Sequence, residues 1–234
     1  NNLKRIGEQF SAQDSGTLSI ATTHTQARYV LPVPVAQLRT TYPKVNISLH
    51  QGAPDQVARM VLDEVAEIGI ATESLSEYPD LVTLPCYEWQ HMLVMPKDHP
   101  LAGVRQISIE RLHEHPLVTY HPSFTGRSRI DQAFAHQGLT PQIALEAIDS
   151  DVIKTYVSLG MGVGVVAEMA VQDGLPDNLV SRPAGQLFGS NMARVAFKRG
   201  SYLRDKFHRL KARRGYQRAA VANSARVAVF LSVH

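Results

Sequence analysis

The chain holds one cysteine, Cys86, in 234 residues. An internal disulfide is excluded, and the composition suits a reducing compartment, so a cytoplasmic location is expected. Cys86 stands in Leu84-Pro85-Cys86-Tyr87, the setting of a buried inert thiol rather than a reactive one. No apolar run approaches the length of a membrane span. The opening residues, Asn1-Asn2-Leu3-Lys4-Arg5, lack the apolar core of a signal peptide. Leu3, Ile6 and Phe10 recur at three- and four-residue spacing, which suggests the end of a linker helix cut from a longer protein.

Catalytic signatures are also missing. There is no Gly-x-Ser-x-Gly elbow and no P-loop or Gly-x-Gly-x-x-Gly fingerprint opening a helix. Gly160-x-Gly162-x-Gly164 leads into a strand instead of following one. The histidines are scattered, and His113-Glu114-His115 has poor helical spacing for two metal ligands on one face. The expectation is no enzyme, no metal and no cofactor. Acid is scarce at one end only. Residues 198–234 hold ten Lys and Arg against a single acid, Asp205, whereas residues 1–197 hold fourteen basic and twenty acidic groups. The net charge of +3 is therefore the property of a tail. A solvated tail is the simpler reading than a nucleic-acid surface.

What is present is a strand–helix–strand rhythm of apolar periodicity. Strands are predicted at Leu18 to Thr22, Val45 to His50 and Glu67 to Thr72, with helices at Gln26 to Thr41 and Pro54 to Glu64 between them. This βαβαβ order implies a parallel sheet with right-handed crossovers. The rhythm restarts after Leu81 to Tyr87: strands at His91 to Met95, Pro116 to Tyr120, Gln142 to Ile148 and Gly160 to Val166, helices at Ile109 to His113, Gly126 to Gln137 and Asp151 to Leu159. A strand at Ala193 to Lys198 and a helix at Tyr202 to Lys211 close the series. The fold class is α/β, in two βαβ subdomains with a cleft expected between them.

Three polar turns lie at strand ends, where open α/β sheets bind ligands. They are Thr22-Thr23-His24-Thr25-Gln26, Thr72-Glu73-Ser74 and Ser123-Phe124-Thr125-Gly126-Arg127-Ser128. The first turn opens a helix, whose leading N–H groups and positive dipole end favour an anion. Thr23, Thr25 and Gln26 add donors without charge. The plain alternative is that one Thr is only an N-cap, but a cap needs a single hydroxyl.

These segments, together with His50-Gln51-Gly52, Ile70-Ala71-Thr72-Glu73, Leu84-Pro85-Cys86-Tyr87, Asp151-Val152-Ile153-Lys154-Thr155-Tyr156-Val157 and the glycine-rich Leu159 to Val165, resemble the effector-binding domain of LysR-type transcriptional regulators. The subgroup is similar to the cysteine-regulon and sulfate-starvation activators (CysB-like and Cbl-like), and the likeness runs over residues 1 to 211. It implies two periplasmic-binding-protein type II-like subdomains joined by two crossover strands, near Leu84 to His91 and Pro183 to Met192. The boundaries are then 1–15 for the linker end, 16–86 with 190–211 for subdomain I, 87–189 for subdomain II, and 212–234 for an atypical basic tail. The tail is disordered, artefactual or a dimer contact on this reading.

The resemblance further implies a ligand site of Thr23, Thr25, Gln26, Thr72 and Thr125, with Trp89 either a second ligand contact or a hinge-packing aromatic. Arg28 and Arg127 are read as surface or supporting residues, and Lys154 and Tyr156 as surface or dimer contacts. The implied effectors are sulfate, thiosulfate, adenosine phosphosulfate, O-acetylserine or N-acetylserine. Promoter DNA is a partner only through an upstream helix-turn-helix, RNA polymerase is a possible contact, and the assembly is a homodimer or homotetramer with no membrane association. One departure is Glu67, which stands where many family members carry Asp. An extracytoplasmic solute-binding protein for a small oxyanion shares the architecture and is the alternative.

Overall fold

The computed structural model describes residues 16–72, 74–124 and 126–200. The expected linker end, Glu73, Thr125, the helix Tyr202 to Lys211 and the basic tail lie outside the described residues. The chain divides into two compact units, one holding the residues up to Tyr87 and those from Arg194, the other Glu88–Ala193.

In the first unit, β1 (Gly16–Thr22) is central. It pairs in parallel with β2 (Val45–Gln51) on one side and with β3 (Ile68–Thr72) on the other. The intervening helices are α1 (Pro32–Thr41) and α2 (Pro54–Leu62). Pro54 sits in the first turn of α2, where its missing N–H costs nothing. The helix buries Val57, Ala58 and Val61 against Ala21, Ala71 and Ala196. Gly69 lets it lie close to the sheet, because a Cβ there would stand 2.8 Å from Val61 Cγ2. The helix stops at Leu62, short of the expected Glu64. Glu64 takes a left-handed φ of 60° and pairs with Lys198 at 2.6 Å. Glu67 is bound into the sheet: Ser19 N–H donates to its Oε2 at 3.1 Å.

The helix expected to run unbroken from Gln26 to Thr41 is two pieces. Gln26–Val30 is a π-helical turn, and Leu31 N–H donates five residues back to Gln26 O at 2.9 Å. Pro32 and Pro34 lack the N–H groups that would continue an α-helical ladder from Arg28 and Val30. The chain widens by one residue before α1 begins.

The crossover strand expected near Leu84 to His91 and the expected strand His91 to Met95 are one strand, β4 (Leu81–Pro96). It enters the second unit, where α3 (Ile109–His113), β5 (Leu117–Tyr120), α4 (Arg127–His136), β6 (Ile143–Ala147), α5 (Ser150–Ser158) and β7 (Val163–Ala167) follow in turn. β5 is central and pairs in parallel with β6 and β7, while β4 runs antiparallel to β7. Both units thus repeat one winding: the first strand in the middle, the second and third on either side. Asp149 caps α5 by accepting from Asp151 N–H at 2.6 Å. Gly162 is required for the β5–β7 approach, because a Cβ would lie 2.2 Å from Pro116 O.

Three short elements complete the unit: α6 (Met169–Gln172), β8 (Leu179–Pro183), which pairs antiparallel with β4, and α7 (Gly185–Phe188). The core gathers Leu93, Leu112, Leu117, Ile130, Phe134 and Val165, all fully buried. β9 (Ser190–Lys198) then returns the chain to the first unit.

Candidate functional site

In a sheet of this winding, the connection after the central strand and the connection after the third strand diverge. The gap between them is where ligands are held. The first unit places Thr22 to Gln26 after β1 and Thr72 at the end of β3, so four of the expected residues meet at one switch point. Thr23, Gln26 and Thr72 are buried, and Thr25 is half-exposed. Thr25 makes no side-chain cap bond, so capping does not account for it. Thr22 Oγ1 is also buried, with no hydrogen-bond partner. π-helical turns such as Gln26–Val30 are rare and concentrate at functional sites.

Gln26 has a partner that the sequence did not disclose. The Tyr87 hydroxyl donates to Gln26 Oε1, which fixes the amide orientation and leaves its NH2 as the end able to meet an acceptor. Electrostatics point the same way. Between Asp14 and Asp55 there is not one acidic residue, whereas Arg28, Arg39 and Lys44 fall in that stretch. This acid-free interval was available in the sequence as a signal for anion tolerance. Arg28 itself is exposed, its guanidinium 5.6 Å from the Tyr29 ring centroid.

In the second unit the equivalent turn runs from His121 to Gly126, between β5 and α4. Thr125 lies outside the described residues, so its expected part in the site is carried only by its neighbours. Gly126 is the N-cap of α4 in a left-handed conformation, and the first turn of α4 contains no acid. Arg127 opens α4. It is buried and spent on structure, donating to Tyr120 O at 2.8 Å, Glu146 Oε1 at 2.6 Å and Asp131 Oδ1 at 2.9 Å. Burial works against its charge, but the two carboxylates outweigh that and hold its pKa above the ordinary value.

Trp89 is buried on β4, its ring 5.1 Å from that of His91 and edge-on to it. Cys86 is buried as expected. Lys154, expected as a surface or dimer contact, is buried within the unit, with Nζ donating to Ala170 O at 2.8 Å and pairing with Asp151 at 2.9 Å. A lysine stem can run through apolar packing when its ammonium is met at the far end. Among the described residues, no cluster of His, Cys, Asp and Glu could hold a metal ion.

A winding of this kind, with uncharged donors at its switch point, defines a small-molecule-binding α/β domain. A family model described as the LysR substrate binding domain matches residues 11–213, and the chain belongs to that family. It is 51% identical over 203 residues to the HTH-type transcriptional regulator CysB of Burkholderia cenocepacia, covering 87% of this chain and 65% of that protein. It is 50% identical over 209 residues to the HTH-type transcriptional regulator SsuR of the same organism, covering 89% and 68%. The chain therefore spans about two thirds of the length of these curated relatives. Among solved structures, the cofactor-binding domain of the Cbl transcriptional regulator superposes with a TM-score of 0.78 at 42% identity, covering 94% of this chain and 87% of that one.

Proposed function

We propose that the chain is the effector-sensing part of a LysR-type regulator of sulfur and cysteine metabolism, and that it takes a small sulfur oxyanion or an acylated serine. The observation that carries this reading is the switch point of the first unit, where Thr23, Thr25 and Gln26, in a stretch free of acid, follow β1 and Thr72 ends the neighbouring β3. Neutral hydroxyl and amide donors hold an oxyanion by several ordinary hydrogen bonds. A buried Arg would make stronger, charge-assisted bonds and slow release. A sensor must let its ligand go when the concentration falls, so uncharged donors fit the task. Thr125 and Trp89 belong to the same proposal on the second unit.

On this reading the ligand acts by its differential affinity for two states of the domain. Promoter DNA is contacted through a helix-turn-helix outside this chain, and the regulator works as a homodimer or homotetramer in the cytoplasm. The relatives above are named as transcriptional regulators, which favours this over a solute-binding protein. Isothermal titration in sulfate-free buffer with sulfate, thiosulfate, adenosine phosphosulfate, O-acetylserine and N-acetylserine tests it, with phosphate and chloride as controls. Saturable binding of one of the five, weakened by Thr23→Ala, is the expected result. A folded domain that binds none of them would refute the sulfur assignment.

A further inference from the structure

His91 occupies an unusual position. It is fully buried on β4, and neither Nδ1 nor Nε2 has a hydrogen-bond partner. Each unmet buried polar group costs roughly 1–3 kcal/mol, so side chains of this kind are rare without a reason. Packing alone does not supply the reason. The ring is gripped edge-on by Trp89 at 5.1 Å and by Phe188 at 5.6 Å, and an apolar ring of similar size would fill the same space.

The imidazole is aimed at the start of α4. A Cβ built on Gly126, the N-cap of that ten-residue helix, would lie 2.3 Å from His91 Nε2, 2.7 Å from Cε1 and 3.2 Å from Trp89 Cη2. Gly126 is thus the residue that allows imidazole and helix N-terminus to meet. The local potential is positive: the dipole end of α4 points here, and the charge of Arg129, in the first turn, is felt at the imidazole. Burial and Arg129 push the His91 pKa down to about 3, so the ring is neutral and carries one N–H and one bare nitrogen. A neutral N–H beside a helix N-terminus, without an acid in the first turn, is suited to an anionic oxygen.

We infer that His91 is a ligand-contacting residue of the second unit, its ring N–H donating to an anionic oxygen bound at the N-terminus of α4, beside Trp89 and Gly126. The ligand chemistry is an oxyanion or a carboxylate. The inference rests on the reading that this domain takes such a ligand, and it adds a residue which neither the motifs nor the relatives' names assign.

Trp89 is the only tryptophan in the chain and touches His91, so its fluorescence reports the site directly. The experiment titrates the chain and its His91→Leu and His91→Gln variants with thiosulfate and with N-acetylserine. Calorimetry and Trp89 fluorescence follow the binding. In parallel, 15N-resolved NMR of the wild-type histidine rings follows the imidazole nitrogens. The expected result is tenfold to hundredfold weaker binding in His91→Leu, the loss of one donor to a charged group. His91→Gln, which keeps a neutral donor, stays within about threefold, and the wild-type N–H resonance moves on saturation. The two probes separate oxyanion from carboxylate. Wild-type binding that Thr23→Ala weakens, with both His91 variants at wild-type affinity and an unmoved imidazole, would overturn this inference and leave the oxyanion reading standing. A wild-type chain that binds neither these probes nor the wider panel would overturn both. If His91→Leu does not fold, His91→Gln and the wild-type resonance decide the matter.

Discussion

Replacing Gly126 by Ala should destabilise the second unit through two separable effects, and His91 should be responsible for one of them. The backbone effect comes from φ of +82°, a left-handed conformation that costs a residue with a Cβ about 1–2 kcal/mol. The steric effect comes from the imidazole, 2.3 Å from the new methyl group, where something must move. Overpacking of this sort costs about 1–3 kcal/mol. Gly126→Ala should therefore lose about 2–5 kcal/mol. His91→Ala alone should lose about 2–3 kcal/mol through the space left between Trp89 and Phe188. In the double variant the methyl group enters that space, only the backbone cost of Gly126→Ala remains, and the pair should be less damaging than the sum by about 1–3 kcal/mol. Urea unfolding followed by Trp89 fluorescence reads this unit selectively. A double-mutant cycle that closes within about 0.5 kcal/mol would show that His91 and Gly126 do not confront each other, and would refute the geometry on which the site rests.

Tyr87→Phe removes the donor to Gln26 Oε1, so the amide is free to turn; ligand affinity should fall about fivefold, corresponding to about 1 kcal/mol, with the unfolding midpoint little changed. Arg127→Met removes one donor to Tyr120 O and two ion pairs whose carboxylates are partly exposed, and should cost about 1–2 kcal/mol in urea unfolding. His91 gives a pH signature. Its folded pKa is depressed to about 3 by burial and by Arg129, so below the ordinary value of 6.5 the unfolded chain takes up a proton that the folded chain refuses. Stability should rise with pH between about 3 and 6.5, by up to about 1.4 kcal/mol per unit, and His91→Gln should flatten that slope. Equal slopes in the two proteins would contradict the assignment.

The strands that carry the winding are legible because they are short apolar runs bounded by turn residues; β3 and β7 are buried throughout. Periodicity marks only His91 to Met95 of β4 as a strand, because Glu88, Trp89, Gln90 and His91 mix polar and apolar residues. In the structure they alternate between outside and inside, which is a strand signal of period two. α6, β8 and α7 are four or five residues long, too short for periodicity to register. The π-helical turn is indicated by Pro32 and Pro34, but a missing N–H says that a ladder breaks, not how the chain repairs it. The donors of the first unit stand out as a dense local motif. Tyr87 and His91 do not, because their partners Gln26 and Gly126 lie far along the chain and only folding brings them together. Lys154 misleads because charge usually means solvent, and its carbonyl partner at Ala170 is a tertiary contact.

Tyr87, Trp89 and His91 are alternate residues of a single strand, and all three are buried. Their register is therefore shared. One residue added between Pro85 and Tyr87 would turn all three side chains to the opposite face in one step. Adding two residues there would restore the facing but displace the trio along the strand by about 6.6 Å, so that no ring would meet its old neighbour. Point substitutions can vary these residues one at a time, whereas length variation in this part of the chain cannot be tolerated piecemeal, and homologous chains aligned through β4 should show no gaps between Pro85 and His91.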